Sequence, residues 1–143
     1  MIYWDSSALL KLYLDEAGTD ATLQLWSQRE TGTTATISRV EVTAGLAAAL
    51  RARRLDESRY TLHLKALSRH LHVLAVHPID ALMPRAAELA SRHALRAADA
   101  IHLAAATSIA ARIAAPLLLA SFDRELNRAA KALGIRLAKF APV

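Results

Sequence analysis

Five short runs of apolar and β-branched residues alternate with seven longer helical stretches, and that alternation leaves the chain few folds to choose from. Residues 2–4, 33–37, 74–77, 117–120 and 136–139 are each bounded by a break in pattern and read as buried strands. Helical patterns occupy 7–14, 19–29, 40–53, 58–70, 81–93, 97–111 and 124–133. Gly18 and Gly32 read as helix ends, Asp56 as an N-cap, Pro78 as the break after a strand and Gly134 as a C-cap. Strands joined through helices demand right-handed crossovers. The expected fold is therefore α/β, a three-layer α/β/α sandwich around a central, mostly parallel five-stranded sheet. A length of 143 residues suits one such domain spanning 1–143, and 54% hydrophobic with 22% charged residues is the composition of a folded chain.

Several function classes drop out. There is no cysteine, which removes disulfides, thiol nucleophiles and cysteine-bound metals, so a metal here must be held by oxygen or imidazole. The most apolar window, 101–120, is broken by His102, Thr107, Ser108, Arg112 and Pro116, so no membrane segment is expected. The opening residues Met1 to Asp5 lack the basic start of a secretory signal, and a cytoplasmic protein is expected. A net charge of +5 suits a polyanionic partner as well as it suits a merely basic surface. Residues 40–72 read as two consecutive helices with no strand between them, an arm carrying Arg51, Arg53, Arg54, Arg59, Lys65 and Arg69. That arm could meet RNA or a partner, or simply face water.

Thirteen acidic residues are present, and nine fall in turns, at helix starts or on exposed faces. The other four do not. Asp5 ends the first strand, and Asp123 follows the fourth in the same way, within Ser121-Phe122-Asp123. Glu41 lies in the first turn of the helix after the second strand, and Asp99 opens a very apolar helix. In open α/β sheets ligands bind at the carboxyl ends of the strands, where these four would meet. Each alone has a structural explanation: Asp5 and Asp123 as N-caps, Glu41 in a capping box with Ser38, Asp99 paired with Arg96. Together they would repel one another unless a cation sat among them, and hard oxygen donors suit Mg²⁺, with Mn²⁺ able to substitute.

The segments Asp5-Ser6-Ser7-Ala8-Leu9-Leu10-Lys11-Leu12-Tyr13, Ser38-Arg39-Val40-Glu41, Ala98-Asp99-Ala100-Ile101-His102-Leu103-Ala104 and Ser121-Phe122-Asp123 resemble the four motifs of PIN-domain nucleases, and most closely those of VapC toxins. The resemblance runs from Met1 to the segment ending at Leu137. It implies an acidic quartet of Asp5, Glu41, Asp99 and Asp123 that is catalytic and holds the metal, with Ser7 and Ser121 hydrogen-bonding beside it. It further implies endonucleolytic cleavage of RNA, homodimerisation, and a cognate antitoxin that neutralises the enzyme.

Other readings fit some of the same residues. An aspartate-based phosphohydrolase would want a second aspartate two residues after Asp5, where Ser7 stands. A nucleic-acid-binding or regulatory module without cleavage would not need the whole quartet. His102, three residues after Asp99, could be a ligand or general base, but a packed, hydrogen-bonded histidine accounts for it better. Tyr3, Trp4 and Trp26 are better explained by core packing than by base stacking. The stretch 45–54 could be a dimer or antitoxin face, or close packing within the chain.

Overall fold

The computed structural model describes residues 1–28 and 30–140. Among these residues five strands form one sheet: β1 (Ile2–Trp4), β2 (Gly32–Ala35), β3 (Ala75–His77), β4 (Leu118–Ala120) and β5 (Arg136–Leu137). Their spatial order is β3-β2-β1-β4-β5, and every neighbouring pair is parallel. The sheet is thus wholly parallel, where the sequence suggested mostly so.

Among the described residues seven α-helices connect the strands: α1 (Ser6–Leu10), α2 (Thr19–Ser27), α3 (Ile37–Arg51), α4 (Glu57–Val73), α5 (Met83–His93), α6 (Ala97–Ala110) and α7 (Arg124–Ala132). A short 3₁₀ turn, Asp80–Leu82, leads into α5. The first helix is shorter than expected, since the chain leaves it after Leu10 through turns. The second closes at Ser27, and its expected end at Arg29 lies outside the described residues.

Alternation along β1 divides the core. Ile2 and Trp4 face one way, into a cluster with Ala8, Leu9, Leu25, Val42, Leu46, Leu67 and Leu71 from the helices α1 to α4. Tyr3 faces the other way, into a cluster built from α5, α6 and α7. The expected three layers follow. Helix α6 is buried almost all round, from Asp99 to Ala106, which is why its sequence is apolar on every face.

The two-helix segment is less of an arm than its charges suggest. Val42, Leu46 and Ala49 of α3 and Leu67 and Leu71 of α4 are buried against the sheet layer. Gly45 sits against Leu10, where an added Cβ would come within 2.7 Å of Leu10 Cδ2, so packing within the chain explains the small residues there. Arg51, Arg53, Arg54, Arg59, Lys65 and Arg69 line the exposed side.

Two glycines play other parts than expected. Gly18 begins α2 as its N-cap, with φ +95°, and Gly32 opens β2 under Trp4 and Leu74. Gly134 ends α7 with φ +79°, and Asp56 caps α4 by accepting from Arg59 N at 2.7 Å, both as expected.

The connections also locate a crevice. The chain winds outward from β1 to β3, then returns to lay β4 on the opposite side of β1. Ligands bind where the order reverses, outside the carboxyl ends of the two diverging strands. Trp4 pairs with Ala120 at those ends, so Asp5 and Ser121 leave the sheet side by side.

Candidate active site

Asp5 is buried at the end of β1, where its backbone N–H donates to Ala120 O at 3.0 Å. Its carboxylate is held on one side: Oδ2 accepts from Ser7 Oγ at 2.5 Å, Ser121 Oγ at 2.9 Å and Ser7 N at 3.3 Å. Phe122 N in turn donates to Ser7 Oγ and Asp123 N to Ser121 Oγ. The two serines therefore lock the β1 and β4 ends together through one carboxylate oxygen, and Oδ1 is left to the crevice side, 3.4 Å from His102 Nε2.

Glu41 reaches the same place from the first turn of α3. Its Oε2 accepts from Ser6 Oγ in a very short hydrogen bond and from His102 Nε2 at 2.7 Å. No capping box forms, because Ser38 Oγ pairs with Thr34 Oγ1 at 2.6 Å instead. Asp99, buried at the start of α6, and Asp123, half-buried ahead of α7, are joined by Arg96, which donates Nε to Asp99 Oδ2 and Nη2 to Asp123 Oδ2, each at 3.0 Å. The explanations weighed for single acids are thus partly true alongside the joint one. Asp5 and Asp123 do cap helices, the latter by accepting from Leu126 N at 2.8 Å, and Asp99 does pair with Arg96.

His102 is the hub that pattern alone underrated. Its ring is fully buried, with Nε2 facing Glu41, Ser6 and Asp5 while Nδ1 lies 2.9 Å from the Tyr3 hydroxyl. An ionised carboxylate only accepts, so Nε2 carries a proton. Burial works against a charged imidazole, but the hydrogen bond to Glu41 and the carboxylates of Asp5, Glu41 and Asp99 outweigh it and raise its pKa. Burial likewise opposes ionising Glu41, but His102, Ser6 and Arg96 prevail and hold its pKa below the ordinary value. Asp99 goes the other way: burial raises its pKa, Arg96 opposes this, and repulsion from Asp123 and Asp5 adds to the rise. The Tyr3 hydroxyl, buried beside Asp5 and Glu41, is pushed up and stays protonated.

All four sequence-predicted acids and both serines converge on one edge. Sequence reasoning gave Ser6 no role, Tyr3 only a packing role and Arg96 only its pairing with Asp99, and the structure places all three at the site. Ser6 lies in the same motif as Asp5 and Ser7, and its contact with Glu41 of α3, 35 positions away, distinguishes it from Ser7. The remaining histidines lie elsewhere; His70, for example, takes the Tyr13 hydroxyl at 2.8 Å.

The donors suit a hard divalent cation. Among the described residues no three acidic or imidazole groups form a ready-made ligand set. They stand in two bridged pairs, Asp5 with Glu41 through His102 and Asp99 with Asp123 through Arg96. Burial raises the Asp99 pKa first, and repulsion from Asp123 and Asp5 adds to it against Arg96. An open, water-rich site that takes one or two carboxylates directly is how Mg²⁺ is ordinarily bound, in contrast to a closed protein cage.

The PIN domain family profile matches residues 2–132. Ribonuclease VapC45 of Mycobacterium tuberculosis (strain CDC 1551 / Oshkosh) is 34% identical to the chain over 144 residues, covering 96% of this chain and 94% of the relative. Among solved structures, Mycobacterium tuberculosis VapC20, a sarcin-ricin loop cleaving toxin, matches with a TM-score of 0.71 at 19% identity, covering 97% of this chain and 99% of that one. A toxin–antitoxin complex from Klebsiella pneumoniae matches with a TM-score of 0.57 at 20% identity, covering 86% of this chain and 87% of that one. At such identities the two structures speak for the fold alone.

Proposed function

The chain belongs to the PIN domain family and is a ribonuclease of the VapC kind, and from that premise we propose that it is a Mg²⁺-dependent endoribonuclease whose Asp5, Glu41, Asp99 and Asp123 hold the metal and perform the cleavage. The supporting observation is their convergence, from four separate segments, at the strand ends where the sheet order reverses. The whole of 1–143 acts as one nuclease domain, as the toxin of a toxin–antitoxin pair. It works as a homodimer on RNA and is neutralised by a cognate antitoxin. Among the described residues no helix is long and apolar enough to cross a membrane.

Asp5 and Asp99 would be the chief ligands, with Glu41 and Asp123 completing the set. When bound, Mg²⁺ supplies Lewis-acid polarisation of the phosphodiester and lowers the pKa of a nearby water. The chain's own residues do the rest. Ser7 and Ser121 occupy Asp5 Oδ2 and so fix the carboxylate's rotation, presenting Oδ1. Ser6 and His102 both engage Glu41 Oε2, which leaves Oε1 to accept a proton from the attacking water. His102 keeps Glu41 ionised and therefore ready as an acceptor. Tyr3 anchors the far nitrogen of that histidine and fixes the ring's orientation. Water attack on phosphorus leaves 5′-phosphate and 3′-hydroxyl ends.

The test is cleavage of structured RNA and of matched single-stranded DNA in Mg²⁺, Mn²⁺ and EDTA, with end-labelling of the products. Internal RNA cuts bearing 5′-phosphates, abolished by EDTA, are expected. Cleavage that persists in EDTA would contradict the metal assignment, and binding without cleavage on any RNA would favour a non-cleaving module.

A further inference from the structure

Arg96 departs from what its surroundings would make of a surface arginine. One guanidinium fork joins two acids carried by different elements, Asp99 on α6 and Asp123 at the head of α7. Yet the side chain is 80% exposed. Among the described residues those two carboxylates are its only side-chain hydrogen-bond partners. The backbone beneath it is fixed, since Leu95 is buried and Arg96 O accepts from Ala100 N at 3.0 Å to start the helix. A rigid base thus carries a solvent-exposed charge.

Exposed ion pairs are weak, and each shifts an equilibrium by no more than about fivefold. A divalent cation held by Asp99 and Asp123 would compete with Arg96 for the negative charge of the same two carboxylates. Among the described residues Arg96 is the one permanently charged side chain paired with any of the four carboxylates. Resting on the metal reading given above, we propose that Arg96 is the site's internal counter-cation: it holds Asp99 and Asp123 in the metal-free enzyme, yields them to the divalent cation, and then meets an RNA phosphate. A guanidinium suits all three states, because its planar fork matches carboxylate and phosphate alike and it is charged at every working pH. The exchange raises the metal concentration needed to load the site, and it adds a phosphate contact only when the site is loaded.

The sign of one measurement separates this from a merely structural role. Calorimetric titration of Mn²⁺ into the full chain is expected to give roughly fivefold tighter binding in Arg96→Gln than in the wild type. The Nε–Hε resonance of Arg96 in nitrogen-labelled protein moves to the position of a free arginine as Mg²⁺ is added. At saturating Mg²⁺, Arg96→Gln raises KM for RNA more than it lowers kcat, and Arg96→Lys recovers part of the loss. Weaker Mn²⁺ binding in Arg96→Gln with an unchanged circular dichroism spectrum overturns the proposal, because Arg96 would then be holding the acids in place for the metal. An Arg96 resonance that ignores Mg²⁺, or an unchanged KM, overturns it equally. If the wild type itself binds no Mn²⁺, the metal reading of the site falls as well; if the wild type binds and only Arg96→Gln weakens, the metal reading stands without this inference.

Discussion

Replacing His102 with alanine removes a ring that is fully buried and touches four polar groups. The Tyr3 hydroxyl, itself fully buried, loses its partner, and Glu41 loses a charge-assisted hydrogen bond of 2.7 Å. Each buried polar group left unsatisfied costs about 1–3 kcal/mol, and the vacated ring volume adds a cavity term, so the whole loss should come to roughly 3–5 kcal/mol. For a chain of this size that lowers Tm by roughly 10–15 °C. Tyr3→Phe strips only the hydroxyl and should cost about 1–2 kcal/mol. If the two groups act through one bond, the double variant should cost less than the sum of the singles, by about 1 kcal/mol or more. Urea unfolding of all four proteins, followed by fluorescence and circular dichroism, measures the cycle. A cost below about 1 kcal/mol for His102→Ala, or additivity within about 0.3 kcal/mol, would refute the claim that this buried network holds Glu41 in place.

Three further outcomes follow from the same geometry. Asp123→Asn keeps the α7 N-cap, because asparagine caps as well as aspartate, so cleavage should fall with Tm nearly unchanged; Asp123→Ala should lose about 1 kcal/mol as well, and equal activity in Asp123→Asn would remove Asp123 from the site. Asp99 binds its proton more tightly in the folded chain than in the unfolded one, so stability falls as pH rises from the ordinary carboxylate pKa through its raised folded value. Asp99→Asn should abolish that decline and match or exceed the wild type in urea at neutral pH, and parallel pH curves would contradict this. For His70, burial and then Arg69 lower the pKa, so the unfolded chain holds the proton more tightly. Its contribution to stability is present above the ordinary imidazole pKa and is lost as pH falls through the lowered folded value, a dependence that His70→Gln should flatten in thermal scans from pH 5 to 8.

Strand-end chemistry was the legible part of this chain. Ile2 to Trp4 running into Asp5, and Leu117 to Ala120 running into Ser121-Phe122-Asp123, announced both strands and the residues they deliver, because a buried parallel strand must be apolar until it reaches the sheet edge. Glu41 and Asp99 were legible for a related reason, each being a carboxylate at the start of a helix that packs on the sheet. The strand order was not legible, and with it the crevice between β1 and β4. Local pattern also misassigned Gly18 and Gly32, since a glycine between two elements can close the first or open the second. The Tyr3–His102–Ser6–Glu41 network joins positions up to 99 apart, so no periodicity reports it. Lys11 is similar: it is nearly buried and pairs with Glu16 at 2.9 Å, and it lies 4.6 Å over the Phe122 ring, a contact that exists only once β4 has docked beside β1. The arginines of 51–69 looked like an arm because charge marks the exposed face of a helix and says nothing of how well the opposite face is buried.

The most direct test of the acidic site is Mg²⁺-dependent RNA cleavage by Asp5→Asn and Asp99→Asn beside the wild type, with the thermal unfolding of each protein recorded in parallel. The account predicts that both variants fold and that each loses cleavage by about 10²-fold or more, the scale on which a lost electrostatic contact to the transition state is felt. Full activity in either folded variant would contradict it.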